Sequence, residues 1–413
     1  MQNTPKGLRL QIGVFGARNA GKSALLNRLT GQQISIVSDV AGTTTDPIEK
    51  AMELQPIGPV LLVDTAGMDD VGTLGEMRVK KSRKILERTD LALIVSGNGK
   101  WENLEESLAE QFRSLKIPFI AVFNKSDLYL PDPELLKRLE NEKTAIVKVS
   151  ALNGEGFGEL RTKIIASAPE DFLTPQGMLP EFINRNSFSV LVTPVDIEAP
   201  KGRLILPQVQ AIRDALDRES WCVVTKEDHL SDVLETMNRK SDLVVTDSQM
   251  FAQVSKTVPE DVPLTSFSIL LARQKTDLSV CASGAAAIDF LQDGSRVLIA
   301  EACTHHPVGE DIGTVKIPAL LRKKTGKTLQ IEHSRGHDFP ADLSEYSLVI
   351  HCGACMFNRR EMLTRMAYCR EKGVAFTNYG VCIAHCVGIL ERALRPFPGV
   401  YESYTQAIKG KRG

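Results

Sequence analysis

The sequence has no uninterrupted apolar stretch long enough to cross a bilayer, and its opening, MQNTPKGLRLQIGVFG, has neither the apolar run nor the cleavage pattern of a signal peptide. A cytoplasmic protein with no membrane partner is therefore expected. An excess of one charge is missing too: the formal net charge is -1, so nothing basic advertises nucleic acid or anionic lipid as a partner. Low-complexity tracts and short repeats are absent. What is present is length: 413 residues exceed what one hydrophobic core usually serves, so two or three domains are expected. In a reducing compartment the eight cysteines are not expected to pair as disulfides. Clustered thiols then read as metal ligands or catalytic groups, and scattered ones as core residues.

Along the chain, apolar runs LRLQIGVFG, VLLVDTAG, DLALIVSG, PFIAVFNKSD and AIVKVSA alternate with helical patterns over 22–29, 76–88 and 104–115, which predicts a parallel sheet flanked by helices. Residues 168–182, rich in proline and without a period, read as a linker. A second alternation follows, with VLVTPVD, a helix over 206–218, WCVVTKED, a helix over 229–239, DLVVTDSQ and SFSILLAR. A third has a helix over 284–292, strands RVLIAEAC and YSLVIHC, a helix over 359–372, strand VAFTNYG and a helix over 381–394; the terminal IKGKRG reads as a solvated basic tail. The expected fold is α/β in three domains: residues 1–168 with a phosphate-binding loop and a parallel sheet, then two smaller α/β domains over 183–271 and 272–413.

Gly16-x4-Gly21-Lys22-Ser23 follows a strand and opens a helix, the context that this phosphate cradle requires. Backbone N–H groups from Gly16 to Gly21, with Ala20 among them, wrap the phosphates; Lys22 reaches the outer ones and the Ser23 hydroxyl suits Mg2+. Asp64-Thr65-Ala66-Gly67 ends a strand, placing a carboxylate near the metal and the Gly67 N–H at the terminal phosphate. Asn124-Lys125-Ser126-Asp127 ends another, and a carboxylate there accepts two hydrogen bonds from guanine that adenine cannot supply. Ser150-Ala151 ends a third and offers a backbone N–H to the guanine carbonyl. The nucleotide is expected to be GTP.

These residues resemble the translation-factor-class small GTPases over about the first 165 residues. Asn19 and the loop SDVAGTTTD are similar to the potassium-assisted branch typified by the tRNA-modifying GTPase TrmE, although Thr45 stands where that branch usually has arginine. The resemblance implies that Thr44 supplies the second Mg2+ hydroxyl, with Thr43 beside it in the nucleotide site, and that Asn19 is a K+ ligand. Met68 follows Gly67, so the water-orienting glutamine of Ras-type enzymes is absent. Glu76 lies where the branch carries a water-positioning glutamate; acids favour helix starts, so an ordinary solvated residue is an equal reading. Lys22, Asp64 and Glu76 are the catalytic candidates for slow hydrolysis stimulated by potassium.

Cys303-Thr-His305, followed much later by His351-Cys352-Gly-Ala-Cys355, is the most unusual feature. Both halves end apolar strands, and ligands of open parallel sheets collect at the carboxyl ends of strands, so the halves can share one crevice. The C-x2-C spacing suits zinc, with a histidine closing a tetrahedron, or a 4Fe-4S cluster held by three cysteines with His305, His351 or Glu310 near the remaining iron. Spacing alone favours zinc by a small margin. Cys369, Cys382 and Cys386 fall on helical faces with apolar neighbours and read as core thiols, as do the isolated Cys222 and Cys281; His333 and His337 have no supporting pattern.

A GTPase joined to this cysteine set resembles HydF, the maturation GTPases of FeFe-hydrogenases, over essentially the whole length. The resemblance implies a 4Fe-4S cluster on Cys303, Cys352 and Cys355 with His305 and His351 nearby, a dimerising middle domain, and a scaffold that receives a diiron subcluster precursor from the radical-SAM maturases HydE and HydG and passes it to the apo-hydrogenase HydA. The competing reading is an RNA- or ribosome-directed GTPase with structural zinc, which the near-neutral charge disfavours. The CxxxCxxC triplet of a radical-SAM enzyme is absent.

Overall fold

LQIGVF, LALIVS and FIAVF are apolar at almost every position, the pattern of strands covered on both faces. In the computed structural model, which describes residues 4–31, 48–65, 84–173, 177–194, 204–302 and 311–410, they occupy the centre of a six-stranded sheet. Its strands are β1 (Leu10–Phe15), β2 (Ile48–Leu54), β3 (Gly58–Asp64), β4 (Leu91–Ser96), β5 (Phe119–Phe123) and β6 (Ala145–Lys148). The order is β2-β3-β1-β4-β5-β6, parallel throughout except for the edge strand β2, which forms a hairpin with β3. Successive residues of β1 and β4 pack into separate cores on opposite faces: Ile12, Val14, Leu93 and Val95 on one, Phe15, Ala92 and Ile94 on the other. The sequence pattern finds the parallel strands and misses β2, whose IEKAMEL is too polar to stand out. Of the helix expected over 76–88, residues 84–88 are described and helical.

Two compact units divide the chain, Met1–Pro175 and Gln176–Gly413. The second carries two parallel four-stranded sheets. One is ordered β10-β9-β7-β8, from β7 (Phe188–Val192), β8 (Trp221–Thr225), β9 (Leu243–Thr246) and β10 (Leu264–Ser266); the other is ordered β12-β11-β13-β14, from β11 (Arg296–Glu301), β12 (Gln330–Arg335), β13 (Tyr346–His351) and β14 (Ala375–Asn378). A single hydrophobic core running from Met178 to Tyr404 joins both sheets.

Several sequence expectations are corrected in this unit. SFSILLAR is a helix, Phe267–Lys275, with strand only up to Ser266: the Ser266 hydroxyl accepts the Ile269 N–H as an N-cap, and a short apolar run buried all round is ambiguous by periodicity. The helix expected over 284–292 begins earlier, at Leu278, where Asp277 caps it, and passes into a 3-10 turn over Ala286–Phe290. The helix expected over 381–394 is two, Tyr379–Cys386 and Leu390–Leu394. The presumed linker buries Met178 and Leu179 in the core; of the presumed basic tail, residues 408–410 end the helix Pro398–Gly410, with Ile408 packed against that core, and residues 411–413 lie outside the described residues.

Candidate functional site

The nucleotide motifs gather at the carboxyl edge of the six-stranded sheet, because each follows one of its parallel strands. β1 leads into the phosphate loop and the helix α1 (Lys22–Thr30). Gly16 has φ 143°, and a Cβ there would lie 2.2 Å from the Val95 carbonyl oxygen, so the loop crosses β4 only as glycine. Lys22 is buried and its Nζ donates to the carbonyls of Gly16 and Ala17, both at 2.8 Å, holding the ammonium over the loop. Asn19 sits in the left-handed region at φ 63°.

At the end of β3, Ser23 Oγ donates to Asp64 Oδ2 at 2.6 Å. Burial pushes the Asp64 carboxyl above its usual range, against the lowering pull of Ser23, Lys22 and Lys50. Its second oxygen, Oδ1, is buried without a hydrogen-bond partner. A hydroxyl and a carboxylate oxygen side by side, one of them unsatisfied, fit a hard divalent cation such as Mg2+. Lys50, on the overlooked strand β2, is buried with its Nζ on Asn27 Oδ1.

The loops that follow β5 and β6 are tied to the phosphate loop by one side chain. Asn124, 1% exposed, donates from Nδ2 to the Ala20 carbonyl at 3.0 Å and accepts the Ala151 N–H on Oδ1 at 3.1 Å. Lys125 follows at φ 59°, and the Ser126 N–H donates to the Val149 carbonyl. The Ser150 N–H donates to the Glu155 carbonyl, so a base that takes the Ala151 N–H shares it with Asn124. Thr43, Thr44, Gly67 and Glu76 lie outside the described residues.

In the second unit β11 and β13 are neighbours, with Ala300 opposite His351. Cys352 therefore emerges beside the end of β11: its N–H donates to Ala300 O at 2.8 Å, and its sulfur accepts the N–H groups of Ala302 at 3.1 Å and Ala354 at 3.4 Å. The left-handed Ala354, φ 52°, turns the C-x2-C loop so that its N–H faces the sulfur. Such N–H···S bonds disperse thiolate charge, the environment that a metal-bound sulfur uses. Ala302 precedes Cys303 in the sequence, so the N–H of the residue before that cysteine reaches the Cys352 sulfur. Burial pushes the Cys355 thiol up, with the Lys275 ammonium pulling the other way. Cys303, His305 and Glu310 lie outside the described residues, and among the described ones no group of three metal-binding side chains forms.

His351 is buried behind the loop with both ring nitrogens engaged. Nδ1–H donates to Cys352 O at 3.0 Å, and Arg365 donates to Nε2 at 3.0 Å. Burial first, and the guanidinium second, hold this imidazole at about 3, so it is neutral. Arg365 lies over the rings of Phe339 and Phe357 and also donates to Glu361 and to Gly336 O. On the other side Tyr379 donates to Glu301 Oε1 at 3.1 Å. Arg365, Tyr379 and Lys275 went unnoticed in the sequence because none stands in a motif.

The remaining thiols sit as a core would place them. Cys281, Cys369 and Cys382 are buried, and His385 near Cys382 is held by Tyr404 and Asp289. His333 is on the edge strand β12, and His337 contacts Glu361.

Three family profiles match the chain in succession: a 50S ribosome-binding GTPase over residues 11–125, the hydrogen maturase F dimerization domain over 178–276 and the hydrogen maturase F tetramerization domain over 279–396. Among curated relatives, the tRNA modification GTPase MnmE of Nitrosomonas europaea is 32% identical over 166 residues, 38% of this chain and 35% of that protein. GTPase Der of Wolinella succinogenes is 35% identical over 166 residues, with the same coverage. The chain thus spans about a third of the length of the curated relatives it matches. Among solved structures, Aquifex aeolicus Era bound to GDP.AlF4- aligns with 55% of this chain and 98% of its own at 20% identity and a TM-score of 0.35. The amino-terminal segment is a GTPase domain, which brings GTP and Mg2+ as its ligands. The two segments that follow it, which together make up more than half of the sequence, both match hydrogen maturase F domains, and the chain belongs to the hydrogen maturase F family.

Proposed function

We propose that this protein is a GTP-hydrolysing scaffold for FeFe-hydrogenase maturation, which holds a 4Fe-4S cluster on Cys303, Cys352 and Cys355, receives a diiron precursor made with HydE and HydG, and delivers it to the apo-hydrogenase HydA. The observation that carries the reading is the Cys352 sulfur at the junction of β11 and β13, accepting the N–H of the residue before Cys303. An iron lacking a cysteine thiolate exchanges its fourth ligand, and that lability is the chemistry the cluster supplies when bound. This chain's residues do the rest: the Ala302 and Ala354 N–H groups share the sulfur's charge, and His351 orients the loop through the Cys352 carbonyl. With both nitrogens of His351 engaged, the fourth position falls to His305, Glu310 or the diiron cargo.

In the GTPase domain, residues 1–168, Lys22 steadies the outer phosphates, Ser23, Thr44 and Asp64 hold Mg2+, Asn19 takes K+ and Glu76 places the attacking water, giving slow turnover stimulated by potassium. Residues 183–271 dimerise. The strand β8 is the sheet edge and exposes Trp221 at 61% and Val224 at 43%, and the helix Leu206–Asp217 exposes Val209 and Leu216; an apolar open edge of this kind is covered by pairing, here with a second copy. Residues 272–413 carry the cluster, and the whole assembly works in the cytoplasm. GTP state alters partner association rather than cluster chemistry.

The test is transfer. Protein reconstituted anaerobically and loaded by HydE and HydG activates apo-hydrogenase, whereas Cys352→Ala does not, although its GTP turnover stays within about twofold because the two sites lie in separate compact units. Activation by Cys352→Ala equal to wild type sinks the proposal.

A further inference from the structure

Lys275 ends the helix Phe267–Lys275 and is 3% exposed. A buried ammonium acts across low dielectric, where its field on neighbouring groups is far stronger than in water. Its Nζ donates to Phe357 O at 2.8 Å, and Phe357 closes the loop that begins with Cys352. The same helix meets that loop one turn earlier: a Cβ on Gly353 would lie 3.1 Å from Leu271 Cδ2. Leu271 and Lys275 share a helical face, so one helix supports the loop at Gly353 and at Phe357, and the Lys275 charge acts on the Cys355 thiol within it.

Resting on the cluster reading above, we propose that Lys275 is a positioning residue for the cluster: its hydrogen bond fixes the Cys352–Phe357 loop, and its ammonium offsets the negative charge of the thiolate-bound iron, favouring the reduced state. When one electron enters from an external reductant, no bond forms or breaks and the site gains one negative charge. A fixed positive charge close by stabilises that added charge and raises the reduction potential.

The two contributions separate by substitution in the full-length protein. Lys275→Gln retains a donor for Phe357 O without the charge, Lys275→Met removes both, and Lys275→Arg restores both. Each is reconstituted with ferrous iron and sulfide, analysed for iron content, and titrated with dithionite under electron paramagnetic resonance. In Lys275→Gln and Lys275→Met the reduction equilibrium falls on the order of tenfold, 59 mV more negative for a one-electron couple, and Lys275→Arg recovers the wild-type midpoint. A merely structural lysine lowers iron content without moving the midpoint of the cluster that remains, and an unmoved midpoint in Lys275→Gln overturns the proposal even if Lys275→Met fails to load. Wild-type protein that takes up no iron overturns the cluster reading itself, and this inference with it.

Discussion

Replacing Asn124 with alanine isolates the joint on which nucleotide recognition turns. The side chain is buried and makes two hydrogen bonds, Nδ2 to the Ala20 carbonyl and Oδ1 from the Ala151 N–H, linking the phosphate loop to the guanine loop. Each bond contributes about 1 kcal/mol net, and stranding a buried backbone group costs a further 1 kcal/mol or so, giving about 3 kcal/mol in total. Both loops must be in place for GTP to touch phosphate and base together, so most of that loss falls on binding, roughly 150-fold in Kd. The assay is GDP affinity by fluorescent nucleotide titration, run beside thermal unfolding of the same variant. Asn124→Asp separates the two bonds, because it keeps an acceptor for Ala151 N–H and loses the donor to Ala20. Affinity of Asn124→Ala within about twofold of wild type refutes the reasoning, since no such bond is then stressed by binding.

Two further outcomes follow from the second unit. In Gly284→Ala the new Cβ lies 1.9 Å from Phe376 O on β14, backbone against backbone, so overpacking of about 3 kcal/mol outweighs the gain of about 1 kcal/mol in helix propensity; thermal unfolding of the full chain shifts down, and an upward shift contradicts this contact. His385 donates from Nε2 to Asp289 and accepts from Tyr404 on Nδ1, and burial holds it below its ordinary value despite the upward pull of Asp289. The folded ring takes up its proton at a lower pH than the unfolded one, so its contribution is complete above the unfolded value of about 6.5 and is lost as pH falls from there through the folded value. Stability of wild type therefore declines from pH 7 to 5 more steeply than that of His385→Phe, and equal slopes measured by denaturant unfolding contradict the assignment.

The parallel strands of the first unit were legible because burial on both faces demands continuous apolar runs, and LQIGVF, LALIVS and FIAVF have no competing period. Their motifs were legible for the same reason: a strand end fixes where a loop must lie. Two edge strands, β2 and β12, were not, although β6, β8 and β14, also at sheet edges, were. IEKAMEL and QIEHSR each leave one edge to solvent and dilute the apolar signal with charge. SFSILLAR misled because four apolar residues buried all round look alike in either period, and only the Ser266 cap distinguishes them. The C-x2-C pair was evident from spacing, whereas its supporting groups were invisible: Lys275 looks like any lysine at a helix C-terminus, where cations favour the dipole, and Arg365 like a solvated residue of its helix. Only tertiary packing brings them to the Phe357 carbonyl and His351.

The central claim is that the ends of β11 and β13 bring three thiolates onto one iron-sulfur cluster. Its most direct test is anaerobic reconstitution of the full chain followed by metal and sulfide analysis. The account predicts brown protein with about four irons and four sulfides per chain, lost on replacing Cys303, Cys352 or Cys355 by alanine and retained on replacing Cys369. Colourless protein holding stoichiometric zinc and no sulfide contradicts it.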